Sequence, residues 1–314
     1  MTDLFEERAI KPMLIGEMKE AFDSENYIFE LKLDGERCLA YLDPAFGTDL
    51  RNKRNMKMLP KVPELSEIHR QVKVRCILDG ELAVIVDGKP NFFELQRRSL
   101  TVNDFKIRLQ AAKHPASFIA FDILYYENRD ITSLPLMKRK KLLEGVITEN
   151  ERLAVSRYIE KQGIGYYNLA AQQDLEGIVA KHKDSKYTFD KRTKDWIKIK
   201  NLRDDDFVVC GYIKKEKGVT SVVLGQYHEK ELIYKGHVTL GISTEDFRLM
   251  SEAQKLEHPP FREPTSGNAD AIWLTPSLVC TVKYMMKTSS GSMRQPVFKG
   301  IRFDKEPEDC VDHS

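Results

Sequence analysis

The sequence predicts an α+β chain in two domains, the second of them a small β-barrel. Three observations carry this. The chain has 314 residues, and at roughly 100–200 residues per domain two domains are expected. Strand-like and helix-like segments are mixed through residues 1–201. Beyond residue 206 the texture changes to short strands with glycine punctuation, the pattern of a small barrel.

The elements follow in order. In YIFELKL (27–33), Tyr27, Phe29, Leu31 and Leu33 alternate with Ile28, Glu30, Lys32 and Asp34, a period of two that reads as a strand. AVIV (83–86), Asp87-Gly88 and then KPNFF read as a β-hairpin. LMKRKKLLEGVI (136–147), after Pro135, reads as a helix. WIKIK (196–200) is another strand, with Trp196, Lys198 and Lys200 on one side and Ile197 and Ile199 on the other. NLRDDD (201–206) is charged and aperiodic and reads as a linker, which puts the domain boundary near residue 202. FVVCGYI (207–213), SVVLGQY (221–227), LIYKGHVTLG (232–241) and LVCTVKYM (278–285) supply the strands of the barrel. The expected domains are 1–201 and 202–306, with 307–314 an exposed tail.

Composition narrows the function class. Fifty Lys+Arg against 48 Asp+Glu leave a net charge of +2, so the placement of charge and not its sum must decide whether a polyanion is bound. Five scattered cysteines without a CxxC, and seven histidines without helical pairing, argue for a reducing compartment and against a zinc site. The acidic start, MTDLFEERAI, is unlike a secretory leader, and no apolar run reaches the length of a membrane helix. The expectation is a cytoplasmic protein, at the bacterial nucleoid, without membrane attachment.

Four separated pieces carry candidate chemistry. In Lys32-Leu33-Asp34-Gly35-Glu36-Arg37, an amine is flanked by Glu30 and Asp34 on one strand face. If that face lines a pocket, Lys32 is a candidate nucleophile; if it faces water, Asp34-Gly35 is an ordinary turn with solvated charges. Asp79-Gly80-Glu81 and Asp174-Leu175-Glu176-Gly177 each set a glutamate beside a glycine at the edge of an apolar segment. They fit turns, or a pair of carboxylates, Glu81 and Glu176, for an oxygen-loving cation such as Mg²⁺. Lys198 and Lys200 on one strand face fit a solvated surface or point charges for phosphate. Phe121, in FIAFDILYY (118–126), fits a core position or a ligand contact.

Together these pieces resemble a known motif series. Lys-x-Asp-Gly-x-Arg, Asp-Gly-Glu, Phe-Asp-Ile-Leu-Tyr, Glu-Gly-Ile-Val-Ala-Lys and Trp-Ile-Lys-Ile-Lys, in that order, are similar to the motifs of covalent nucleotidyltransferases, and among them of ATP-dependent DNA ligases. The stretch from Met293 to Lys305, ending Gly-Ile-Arg-Phe-Asp-Lys, resembles the C-terminal motif of the ligase barrel. The resemblance runs from about Pro12 to Lys305 and is nearest the compact bacterial ligase D type. It implies an adenylation (nucleotidyltransferase) domain of antiparallel sheets flanked by helices, followed by an OB-fold barrel.

The resemblance also implies roles. Lys32 would carry AMP, with Asp34, Lys198 and Lys200 in the catalytic set and the two lysines on the α-phosphate. Glu30 would read the adenine of ATP, Phe121 would stack on it, and Arg37 would contact ribose or the DNA 5′-phosphate. Glu81 would act at ribose and metal, and Glu176 would bind Mg²⁺, with Mn²⁺ as a substitute. Arg302, Asp304 and Lys305, joined by Arg294, would orient the departing pyrophosphate. DNA contacts would come from Arg37, Arg54, Lys181, Arg192 and Arg294, and more broadly from the basic stretch 186–203. The barrel would close for ATP and swing away for DNA about a hinge at 201–206.

Four positions depart from the family pattern. RNKRN (51–55) is a degenerate form of its Ser-Arg-Asn-Gly element, with Arg54 taken as the arginine and Arg51 as the other choice. Asp190 and Cys210 stand where glycine is usual, and Met286 where relatives often carry glutamate. The expected activity is sealing of 5′-phosphate/3′-hydroxyl breaks in nicked or broken duplex DNA by a monomer, in end-joining repair. With Lys32 so near the start, no N-terminal helical DNA-binding domain is expected, hence a weak grip on DNA and help from a Ku-like end-binding partner. An RNA ligase, an mRNA-capping-type enzyme and a non-catalytic DNA-end-binding module are the alternatives.

Overall fold

A computed structural model describes residues 3–214, 220–262, 267–285, 287 and 292–312. The chain divides into two compact units, Met1–Asn201 and Leu202–Ser314. In the first unit the strands are β1 (Leu14–Met18), β2 (Ser24–Leu31), β3 (Glu36–Asp43), β4 (Gly47–Asn52), β5 (Cys76–Val86), β6 (Lys89–Pro90), β7 (Ala116–Tyr126), β8 (Arg129–Asp130), β9 (Leu153–Val155), β10 (Tyr158–Lys161), β11 (Gly177–His182) and β12 (Arg192–Lys200). Its helices are α1 (Leu4–Glu7), α2 (Phe92–Leu100), α3 (Asp104–Lys113), α4 (Leu136–Val146) and α5 (Gly163–Gln172).

Among the described residues these strands form two sheets. One has the order β1-β12-β11-β2-β10; the other runs β4-β3-β5-β7-β8, with β6 added to β5 and β9 to β7. Pairing is antiparallel except for β1 beside β12 and β9 beside β7, which are parallel. A period of two sorts side chains between layers. On β3, Leu39 and Tyr41 join Trp196 of β12 in a core between the sheets, while Cys38, Ala40 and Leu42 face the outer core. On β12, Ile197 and Ile199 pack with Phe29 and Ala170 of α5 on the far face of the five-stranded sheet.

Three local expectations need correction. The Asp87-Gly88 turn exists, with φ of 51° and 78°, and pairs Ile85 with Pro90. Its return strand stops there, because the Asn91 side chain accepts from the Glu94 N–H and caps α2, so Phe92 begins a helix. Asp79-Gly80 is no turn: β5 runs unbroken through it, and Asp79 is fully buried. The supposed linker is mostly strand, since Arg203–Asp206 pair with residues 281–284.

In the second unit the strands are β13 (Arg203–Lys214), β14 (Thr220–His228), β15 (Glu231–Val238), β16 (Lys255–Leu256), β17 (Ile272–Leu274), β18 (Val279–Tyr284) and β19 (Val297–Arg302), with helix α6 (Thr244–Glu252). β13 is the hub, bonded to β14, β17 and β18. The expected exposed tail is instead part of this core. Cys310 is buried, Tyr227 and residues 310–312 exchange backbone hydrogen bonds, and Asp312 pairs with Lys235 at 2.5 Å. An apolar side chain and a carboxylate with a lysine partner gave that segment a reason to fold back. Asp190 adopts φ 55°, the left-handed conformation that aspartate tolerates among non-glycine residues, so the backbone there keeps a glycine-like shape. Met286 lies outside the described residues.

Candidate functional site

A cavity of about 480 Å³ opens within the first unit, between its two sheets. Leu31, Lys32, Leu33 and Gly35 form one edge, Phe121 and Trp196 an aromatic wall, and Arg54 stands on the rim. Glu30, Glu36, Arg37, Glu81 and Lys181 are charged members of the lining, and Val179 adds an apolar one. Asp34, Glu176, Lys198 and Lys200 are not part of that lining; Glu176 and Lys200 meet it through Lys32.

Lys32 is the first residue past β2, and its backbone N–H is held by the Gly177 carbonyl at 2.9 Å. Its Nζ lies 2.7 Å from Glu176 Oε1, and Lys200 Nζ approaches the same oxygen at 3.9 Å. This convergence depends on the turn entering β11. Gly177 has φ 130°, and a Cβ there would come 2.1 Å from the Ile199 carbonyl oxygen, so the β11–β12 approach admits only glycine. Lys198 stands in register between Met18 and Val179. Burial pulls the Lys200 pKa below its ordinary value; Lys32 and Lys198 add to the effect, and Glu176 opposes it.

Glu81 faces the same space from β5. Burial pushes its carboxyl up to about 8, with Glu176 and Asp79 adding repulsion against the opposing pull of Lys32 and Arg37. A buried carboxylate pair of this kind is relieved by a cation. Mg²⁺ is commonly held by one or two carboxylates plus substrate phosphates, so Glu81 and Glu176 fit that ion, although no larger cluster of metal-ligating side chains occurs among the described residues.

Arg37 is clamped from beneath. Its Nε donates to Asp79 Oδ1 at 3.0 Å and its Nη2 to Asp79 Oδ2 at 2.6 Å. Tyr187 donates its hydroxyl to the same Oδ2 at 2.6 Å. Burial opposes the Arg37 charge, but Asp79 and Tyr187 outweigh it and hold its pKa above the ordinary arginine value. The guanidinium lies 5.5 Å from the Phe121 ring and 5.7 Å from that of Trp196. Phe121 thus serves both as core packing against the inter-sheet cluster and as cavity wall.

Glu30 is buried on the cavity floor. Lys181 Nζ donates to its Oε2 at 2.8 Å, and Lys140 forms an ion pair with its Oε1. Lys181 was expected among the DNA contacts; it is instead almost wholly buried, its Nζ 4.2 Å from both the Phe121 and Trp196 centroids. Burial drags its pKa to about 8, with Lys140 adding to the fall and Glu30 opposing it. Alternation explains the placement: Val179 is opposite Glu30 in the β2–β11 pairing, and Lys181, two residues on, leans from the same face.

Of the other expected contacts, Arg54 lies on the rim while Arg51 is engaged by Asp49 at 2.9 Å. Arg192 is exposed and donates to the Ile15 carbonyl. Arg294, Arg302, Asp304 and Lys305 belong to the second unit. There Arg302 and Asp304 form a two-pronged pair at 2.7 and 2.6 Å, and Lys305 pairs with Asp206. Burial lowers the Arg294 pKa. Asp79, Tyr187, Lys140 and the cavity-facing role of Trp196 escaped the sequence reading. A carboxylate inside the apolar run CILDGEL was the available signal for Asp79.

The first unit has nucleotidyltransferase architecture and the second that of an OB-fold domain. Residues 12–200 match the family described as ATP dependent DNA ligase domain, and residues 215–305 the ATP dependent DNA ligase C terminal region. The chain belongs to the ATP-dependent DNA ligases. DNA ligase C1 of Mycolicibacterium smegmatis is 31% identical over 98% of this chain and 94% of its own. The SPbeta prophage-derived DNA ligase-like protein LigB of Bacillus subtilis is 28% identical over 93% and 99%. The multifunctional end-joining repair protein LigD of Mycobacterium tuberculosis is 29% identical over 98% of this chain, which spans 40% of LigD's length. The solved structure of mycobacterial DNA ligase D with ATP and MES superposes with a TM-score of 0.56 at 25% identity, covering 98% of this chain and 99% of the other. No helix among the described residues is long and apolar enough to cross a membrane.

Proposed function

We propose that this ligase seals 5′-phosphate/3′-hydroxyl breaks in duplex DNA through an adenylate carried on Lys32, and that it serves end-joining repair. The observation that carries this is the Lys32 amine at the cavity edge, 2.7 Å from Glu176 and beside Lys200. In the first step Lys32 Nζ attacks the α-phosphorus of ATP; a P–N bond forms, the bond to the bridging oxygen breaks, and pyrophosphate leaves. Glu176 Oε1 is within reach of the proton the amine must lose. AMP then passes to the DNA 5′-phosphate, and attack by the 3′-hydroxyl joins the strand and frees AMP.

The base would enter beside Phe121 and Trp196, with Glu30 and Lys181 meeting its edge. Arg37, with its Asp79 clamp, would meet ribose or phosphate, and Arg54 would meet DNA at the rim. Lys198 and Lys200 would offset charge on the α-phosphate. Glu81 and Glu176 would hold Mg²⁺, whose charge would offset that on the non-bridging oxygens. In the second unit, Arg302, Asp304, Lys305 and Arg294 would serve the departing pyrophosphate. The end-joining assignment, and with it a Ku-like partner, draws on the printed name of LigD.

The test is ATP-dependent sealing of a nicked duplex by wild type and Lys32→Ala, with intact mass measured after incubation with ATP and magnesium. Wild type gains one adenylate and seals; Lys32→Ala does neither, yet still joins a nick supplied already adenylylated. One AMP on folded Lys32→Ala would overturn the assignment.

A further inference from the structure

Helix α4 carries the run Lys138-Arg139-Lys140-Lys141, four consecutive cations that a helix cannot set on one face. The fold treats its members differently. Lys138 and Lys141 are exposed, while Arg139 and Lys140 are buried to 1% or less. Arg139 is accounted for by a two-pronged pair with Asp122 at 2.8 Å and by the Ser185 carbonyl at 2.9 Å. Lys140 instead reaches Glu30 Oε1, where Glu30 already accepts from Lys181 through Oε2. Two ammonium groups therefore share one carboxylate in a place almost closed to water. Burying a second cation on an already paired anion is costly, and α4 could have supplied an apolar side chain at that position.

The arrangement has a chemical consequence. With an ion-paired ammonium at each oxygen, the Glu30 carboxylate is fixed in orientation and turns acceptor oxygens to the cavity. Beside it, Lys181 presents a donor at the same cavity wall as Phe121 and Trp196. An acceptor next to a donor matches the edge of a 6-aminopurine, whose amino group donates and whose N1 accepts. A 6-oxopurine presents the reverse at both positions.

We propose that Lys140 is a positioning residue for nucleobase selection, holding Glu30 as a fixed acceptor so that the cavity admits 6-aminopurine and rejects 6-oxopurine nucleotides. This rests on the reading above that Glu30 meets the base of ATP. Lys140 itself does not line the cavity; it acts through Glu30, from a helix outside every motif that marks the family in this sequence.

The test compares kcat/KM for formation of the enzyme adenylate from ATP with that for the corresponding inosine adduct from ITP, in wild type, Lys140→Met and Lys140→Arg. Wild type favours ATP by about ten-thousandfold, the scale on which a site built to hydrogen-bond rejects the wrong group. Lys140→Met contracts that ratio by about tenfold or more, because Glu30 is no longer held as an acceptor. Lys140→Arg, which keeps the charge, recovers most of it. A purely structural Lys140 would lower both nucleotides equally, so an unchanged ratio in folded Lys140→Met overturns the proposal. So does failure of both Lys140→Met and Lys140→Gln to fold, which would assign the residue to folding. If wild type itself does not distinguish ATP from ITP, the reading of Glu30 fails instead.

Discussion

Asp79→Asn tests the least visible part of the site. The wild-type carboxylate accepts from Arg37 Nε, Arg37 Nη2 and the Tyr187 hydroxyl, at 3.0, 2.6 and 2.6 Å, with no exposure to water. An asparagine of the same shape keeps one acceptor oxygen and turns an N–H₂ toward one of these donors. Hydrogen bonds to charged groups contribute about 1.5–3 kcal/mol each, and breaking a buried pair costs about 3–5 kcal/mol. Arg37 retains 18% exposure, so the lower end, about 3 kcal/mol, applies. At about 2–4 °C per kcal/mol for a unit of this size, the midpoint falls by roughly 6–12 °C. The chain has two tryptophans, and Trp196 lies 5.7 Å from the Arg37 guanidinium. Thermal unfolding followed by fluorescence in a Trp273→Phe background therefore reports on the site itself. Release of Arg37 also disturbs the cavity, so adenylylation slows more than the loss of folded protein explains. A midpoint within about 2 °C of the parent, about one kcal/mol or less, together with an unchanged adenylylation rate, would refute the account of the clamp.

Two further outcomes follow from the same geometry. The Lys181 pKa is about 8 in the folded chain against an ordinary 10.5, so between these values the unfolded chain holds a proton that the folded chain has released. Wild type should then gain stability relative to Lys181→Met as pH rises from about 8 toward 10.5, by roughly 3 kcal/mol; urea melts at several pH values with a flat difference would contradict this. At Gly35, a Cβ would come 2.1 Å from the Leu82 carbonyl oxygen and 2.8 Å from Glu81 Cγ. Gly35→Ala must therefore push the Lys32 loop off β5, lowering single-turnover adenylylation by about ten- to a hundredfold; a wild-type rate in that variant would show that the loop does not need the close approach.

How much could be read from the sequence depended on how local each signal was. The β2 and β12 strands, α4 and the barrel strands announce themselves through periodicity over a few residues. The motif series brings Lys32, Glu81, Phe121 and Glu176 to attention, and the β11 registers with β2 and β12 show why Lys32, Glu176 and Lys200 meet: Gly177 lies opposite Lys200, and Ile178 opposite Leu31. What stayed hidden was the identity of partners. Asp79-Gly80 has the composition of a turn, and only pairing of β5 with β3 and β7 on both sides makes it strand. Lys140 and Lys181 look like surface residues because their cost of burial is met by Glu30, more than a hundred residues away. Arg203–Asp206 look like a linker because charge hides the alternation that β18 rewards.

The last turn of the chain gives the barrel a different outline from the one its motifs suggest. The recognisable ligase sequence stops at Lys305, yet Cys310 sits against Val208, Cys210 and Leu232, and the Cys310–Asp312 backbone extends the edge at Tyr227. Pro307 and Cys310, both buried, thus close over that cluster as a stopper does a flask. A chain trimmed to its motifs would leave three valines and a thiol of that cluster, Val208, Val223, Val279 and Cys210, nearer to water and to oxidants than they are here.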